Sequence, residues 1–182
     1  MILRQLRRAV VLAVLFLVVC GLAYPLAETA AAQGIFGYQA NGSLGANGSA
    51  LIGQTFTGAS FFHTRPDSNN PMASGGTNLG PRSGKLVAQV KSQIAYWHRL
   101  GVSPTNDLVT TSGSGLDPDI SPAAAYAQVP MVAKARGLSV ATLDKLVASQ
   151  IHGRQLGFLG SPYVNVLALN QALVHLAQSN QG

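Results

Sequence analysis

Nineteen consecutive residues, Ala9 to Ala27, carry no charge: AVVLAVLFLVVCGLAYPLA. As a helix this run covers about 28 Å, close to the roughly 30 Å hydrocarbon thickness of a bilayer. A lone helix satisfies its own backbone in lipid, so the segment can cross unaided. Arg4, Arg7 and Arg8 precede it and a single Glu28 follows. That asymmetry predicts a cytoplasmic basic N-terminus (1–8), a transmembrane helix (9–27) and an extracytoplasmic soluble domain (28–182). A cleaved signal with a small-residue site at Ala30-Ala31-Ala32 is the alternative, but the run is longer than the about 7–15 residues of a signal core. Lipid attachment at Cys20 is a third, against which stands the bulk of Val19. Under each, the bulk of the chain lies outside the cytoplasm.

The 182 residues suit one domain plus an anchor. Hydrophobic residues make up 47% of the chain, which excludes a disordered protein. The net charge is +6, but from residue 9 onward nine basic residues face six acidic ones with no clustered stripe, which argues against nucleic acid as a partner. A single cysteine excludes a disulfide framework and a cysteine-based zinc site.

Beyond the anchor, Asn41-Gly42 and Asn47-Gly48 predict turns. Leu51-Ile52 and Phe61-Phe62 are candidate strands. Residues 65–84, RPDSNNPMASGGTNLGPRSG, lack periodicity and are long for an idle loop, which points to binding or docking. Leu86, Val87, Val90, Ile94 and Trp97 then recur at helical spacing, with Ser83 as the expected cap and Gly101 as the stop. Leu108–Thr111 reads as a strand. Ser121 and Pro122 open a helix to Arg136 that Gly137 closes, and Ser139 caps another. Val164–Leu167 reads as a strand and Asn170–Gln178 as a last helix. The expected fold is therefore α/β or α+β, a single soluble domain behind one N-terminal transmembrane helix.

Sites of chemistry are hard to find. Gly80-Pro81-Arg82-Ser83-Gly84-Lys85-Leu86 has three residues between its glycines instead of four, and Leu86 stands where a phosphate loop needs a hydroxyl. His63, His98, His152 and His175 show no metal-ligand spacing, so no metal site is expected. Asp117-Pro118-Asp119 offers paired carboxylates, but shaping the turn before Ser121 explains them more simply. Gly113-Ser114-Gly115 lacks the G-x-S-x-G of a nucleophile elbow. No catalytic residues are expected.

One set of segments has a collective identity. It comprises Gly53-Gln54-Thr55-Phe56, Phe62–Pro66, Ala73–Pro81, Thr111–Pro118, Ile120–Ala124, Ala133–Leu138 and Val164–Asn170. In order and register over residues 50–175, these resemble the potassium-transporting ATPase C chain of the bacterial Kdp system, which shares the single N-terminal anchor. His63, Thr64 and Asp67 depart from the family's usual residues.

The resemblance implies an accessory, non-catalytic subunit of an ATP-driven potassium uptake complex in the bacterial inner membrane. Its implied partners are a potassium-binding channel-like chain, a P-type ATPase chain and a small single-helix chain, with membrane lipid around the anchor. It implies a role in assembly and as a catalytic chaperone that raises the ATPase chain's affinity for ATP. The implied structural and docking residues are Arg65, Pro66, Ser74, Gly75, Gly76, Asn78, Gly80, Ser112, Gly113, Ser114, Gly115, Asp117, Pro118, Asn165 and Asn170. The family's ATP-binding label makes ATP a possible ligand, with Gln155 and the glycine-flanked Leu156–Gly160 as the candidate contact. A domain outside the cytoplasm does not meet cytoplasmic ATP, so the charge asymmetry favours docking on the outer face of the potassium-binding chain.

Overall fold

The structure, a computed structural model, describes residues 2–46 and 48–179. By contacts the chain divides into two compact units, Met1–Ser49 and Ala50–Gly182.

The first unit is dominated by one helix, Ile2–Ile35, apolar and long enough to cross a membrane. It consists of α1 (Ile2–Val18), a π-helical turn (Val19–Ala23) and α2 (Tyr24–Ile35). Pro25 in the first turn of α2 brings no amide proton. The widened turn just before it lets Tyr24 N donate to Val19 O, one residue further back than in an α-helix. A short helix α3 (Gly37–Ala40) and a two-stranded hairpin, β1 (Leu44–Gly45) and β2 (Gly48–Ser49), follow. The expected turn at Asn41-Gly42 is present, with Gly42 at φ +79° and Asn41 Nδ2 donating to Gly37 O at 2.6 Å. Asn47 of the second Asn-Gly pair lies outside the described residues.

The second unit mixes helices with a small antiparallel sheet. Its elements are α4 (Gly84–Arg99), α5 (Asn106–Val109), β3 (Asp119–Ile120), α6 (Pro122–Arg136), α7 (Val140–Ser149), β4 (Ile151–His152), β5 (Tyr163–Asn165) and α8 (Val166–Ser179). The strand order is β3-β5-β4, with Ile120 and Ile151 both opposite Val164. The fold is thus α+β.

Local chemistry sets the helix ends. Ser121 and Ser139 accept from Ala124 N and Thr142 N, each at 3.1 Å, and Gly137 closes α6 in the left-handed region at φ +66°. Ser83 occupies the cap position of α4, but its side chain makes no capping bond. Phe62, Trp97, Leu108, Val129, Val132, Leu143, Val147, Val164, Leu169 and Leu173 form the core. The expected apolar face of α4 meets it from mid-helix onward: Val90 and Ile94 pack against it partly buried, Trp97 is buried and donates from Nε1 to Leu108 O at 2.8 Å, and Val87 is exposed.

Four expected strands are corrected. Leu108–Thr111 is the end of α5 and an extended exit, because Thr105 O accepts from Leu108 N and Asn106 O from Thr110 N, which closes a helical turn. Val164–Leu167 divides: Val164 lies in β5, and α8 begins at Val166 because Asn165 Oδ1 accepts from Ala168 N. Leu51-Ile52 and Phe61-Phe62 join no strand; the side-chain amide of Asn170 takes both main-chain groups of Phe62.

Candidate functional site

The long polar loop of residues 65–83 is held against a second loop, residues 110–118, by main-chain bonds. Asn69 N donates to Gly115 O at 3.2 Å and Gly75 N to Ser114 O at 2.7 Å, and from an earlier segment Gly53 N donates to Leu116 O at 2.8 Å. Ser74 Oγ also reaches Ser114 O, at 3.1 Å. Glycine is required where the loops touch. A Cβ on Gly115, at φ +68°, would stand 2.7 Å from Gly75 O, and one on Gly76 would stand 3.0 Å from Gly113 O.

Asp67 is the centre of this brace. Its Oδ1 accepts from Ser112 N at 2.7 Å, and its Oδ2 accepts from Ser112 Oγ at 2.6 Å and from Asp117 N at 3.2 Å. Ser112 Oγ in turn accepts from Gly115 N at 2.9 Å. The Ser112–Gly115 stretch is thus a network of turn-forming bonds around a carboxylate, and no imidazole is among the partners of Ser112 or Ser114.

Arg65 crosses between the loops. Its Nη2 donates to Thr110 Oγ1 at 3.2 Å and to Thr111 O at 3.1 Å, and its Nη1 lies 4.0 Å from Asp117 Oδ2. At that separation, with both side chains partly exposed, the ion pair contributes little; the two hydrogen bonds fix the guanidinium. Asp117 Oδ1 accepts from Asp119 N at 3.1 Å, a local turn bond that matches the turn-shaping reading of Asp117-Pro118-Asp119.

Arg65, Asp107, Asp117 and Asp119 line an open cleft of about 450 Å³ with Tyr163. Burial works to raise the Asp107 pKa, but hydrogen bonds from Thr105 and Ser121 outweigh it and leave the carboxyl below its usual range. Asp119 is pushed the other way, by burial and then by the charge of Asp117, against a stabilising bond from Asn165. Asp119 Oδ1 and Ala50 O both accept from Asn165 Nδ2 at 3.0 Å. Among the described residues no group of three or more His, Cys, Asp or Glu is arranged to hold a metal ion.

A second cleft, about 230 Å³, is lined by Phe56, His63, Arg65, Asp67, Asn69 and Trp97 among others. His63 lies edge-on to Trp97, with ring centroids 5.5 Å apart, and its Nε2 is 2.8 Å from Gly58 O. Burial lowers the His63 pKa more than that carbonyl raises it, so the neutral imidazole donates from Nε2.

The remaining expected residues sit around this brace. Pro66 lines a groove with Leu86, Gln89 and Thr111. Pro118 O accepts from Val166 N at 3.0 Å, which ties the second loop to α8. Asn170 is buried against Phe62. Asn78, at φ +54°, and Gly80 are exposed, further along the first loop. Gln155 is not in the brace: it is exposed, and its main chain pairs with Leu159 across a tight turn.

Sequence reading missed Gln128 and the role of Asp67. Gln128 is fully buried; its Oε1 accepts from His63 N at 2.8 Å and its Nε2 donates to His63 O at 3.1 Å. The signal was present: one amide among alanines, valines and a methionine in the middle of a buried helix, where an unpartnered polar group is costly.

The profile of the KdpC family, described as K+-transporting ATPase, c chain, matches residues 6–175. A protein of Allorhizobium ampelinum named Potassium-transporting ATPase KdpC subunit is 49% identical, over 94% of this chain and 96% of its own length. Proteins of the same name from Acidobacterium capsulatum and Geobacter sulfurreducens are 49% and 44% identical, each over 93% of this chain and 97% of their own lengths. The matched span takes in the potential membrane helix from Leu6 onward, both braced loops and most of α8, and on that ground the chain belongs to the KdpC family of potassium-transporting ATPase subunits.

Proposed function

We propose that residues 50–182 form an extracytoplasmic docking domain that assembles the potassium pump and carries out no transport or hydrolysis itself. The N-terminal helix anchors it, with Arg4, Arg7 and Arg8 at the cytoplasmic end. The domain binds the outer face of the potassium-binding chain. It raises the ATPase chain's affinity for ATP from across the bilayer, by stabilising one state of the assembled complex.

The observation that carries this reading is the loop-on-loop brace centred on Asp67. Most of its polar groups bond one another, with Arg65 Nε and Asn69 Oδ1 left without a partner, which leaves a cross-braced surface with few free charges. Such a surface loses little freedom on binding and has little charge to desolvate. Direct contact with ATP through Gln155 is the competing route; it predicts saturable nucleotide binding by the chain alone, lost in Gln155→Ala.

The test is purification of the complex from membranes carrying Arg65→Ala together with Asp117→Ala. The expected result is a lower yield of the chain with its partner subunits, and unchanged turnover per assembled complex. Normal yield, with reduced turnover, would contradict a docking role for these loops.

A further inference from the structure

Between β4 and β5 the chain makes an excursion, residues 153–162, whose tip is apolar and exposed. Gln155 and Leu159 exchange both main-chain bonds, N to O at 3.0 Å and 2.9 Å, and Phe158 N donates to Gln155 O at 3.2 Å. Leu156 at φ +52° and Gly157 at φ +82° form the positive-φ pair of a type I′ turn. Glycine and asparagine suit the first of these positions; a branched side chain there is strained. The protein nonetheless holds a leucine at this position with 83% of its surface exposed, and Phe158 beside it is 68% exposed. Strain combined with exposed apolar surface marks a contact made elsewhere. Stacking of His152 on Tyr163, with centroids 4.9 Å apart, holds the base of the excursion firm.

We infer that this tip inserts into the outer interface of the bilayer in which the chain is anchored. Three features favour lipid as the occupant. Leu156, Phe158 and Leu159 project from five residues that carry no charge, as an interfacial anchor does. Arg154, exposed at the base, can place its guanidinium among anionic headgroups while the tip lies deeper. The anchor also tethers the second unit to the bilayer through the residues between Ile35 and Ala50, so the second contact is intramolecular and gains from a raised effective concentration. The inference rests on the anchored reading above.

The experiment uses the full chain alone, reconstituted in vesicles of phosphatidylethanolamine and phosphatidylglycerol. A nitroxide is attached at native Cys20, or, in a Cys20→Ser background, at Leu156→Cys, Phe158→Cys or Met72→Cys. Relaxation by oxygen, which concentrates among acyl chains, is compared with relaxation by a water-soluble nickel chelate. Oxygen is expected to dominate at Cys20 and at both tip positions, and nickel at Met72, an exposed loop residue. Phe158→Cys gives a reading independent of the strained Leu156 position. Nickel dominance at both tip positions with oxygen dominance at Cys20 would overturn the lipid contact and leave the anchor intact. Tip labels shielded only once the other subunits are added would also overturn it, in favour of a protein contact. Nickel dominance at Cys20 would remove the anchored reading itself, and the inference with it.

Discussion

The side-chain amide of Asn170 bonds both main-chain groups of Phe62, accepting from its N at 2.9 Å and donating to its O at 2.8 Å across 108 residues of sequence. Gln128 does the same for His63 from α6. Two helices thus offer amide groups where a neighbouring strand would otherwise pair, and they fix the segment that leads into Arg65 and Asp67. The two braced loops inherit their position from these two buried amides.

Removing either amide is expected to be costly. Asn170→Ala strands two buried main-chain groups and Gln128→Ala two part-buried ones, each leaves a void, and each is expected to lose about 2–4 kcal/mol of unfolding free energy. Urea denaturation of the full chain in detergent checks this. A loss below about 1 kcal/mol in both variants would show that these bonds do not position the segment.

Asp67 accepts three hydrogen bonds that join the two loops. Asp67→Ala is expected to lower stability by roughly 2 kcal/mol, the net worth of charge-assisted bonds in a partly exposed setting. Limited proteolysis should then cut within residues 65–83 or 110–118 before any other part of the second unit.

Glycine substitutions separate close approach from simple flexibility. Gly115→Ala meets Gly75 O at 2.7 Å and needs a positive φ, so a loss of about 2 kcal/mol or more is expected. Gly113→Ala, two residues away, meets nothing within 4 Å and is expected to stay within roughly 0.5 kcal/mol of the parent. Thermal unfolding of the pair measures the difference directly.

His63 predicts a pH dependence of fixed sign. Its folded pKa lies below its ordinary value through burial, so the folded state resists taking up a proton that the unfolded chain accepts. The His63 contribution is therefore complete above about pH 6.5 and declines as the pH falls from there toward the folded pKa, with a slope of at most ~1.4 kcal/mol per pH unit. Unfolding curves between pH 7.5 and 5.5 should show the decline, and His63→Gln should remove that component.

Much of the fold was legible where its cause is local. Ser121, Ser139 and Gly137 act within four residues of themselves, and each does what its type predicts. Thr105-Asn106-Asp107 carried a helix start as well, but the β-branched residues after Leu108 suggested a strand, and the start signal prevailed. Asn165 is similar: it ends β5 and caps α8, so the apolar run from Val164 to Leu167 changes structure midway. The family of the braced loops was readable as a set of motifs. Their mutual bracing was not, because the partners of Asp67 lie 45 to 50 residues away and no periodicity links them. Phe62 and Asn170 are further apart still, and only the fold brings them together.

On the proposed topology the braced domain lies outside the cytoplasm, where it serves a partner subunit. The most direct measurement is labelling of Met72→Cys, in a Cys20→Ser background, with a membrane-impermeant maleimide on intact, right-side-out spheroplasts. Met72 is 91% exposed on the first braced loop and is open to the reagent. The account predicts prompt labelling of intact spheroplasts, with no further gain after permeabilisation. Labelling that appears only after permeabilisation would put the domain on the cytoplasmic side and contradict the account.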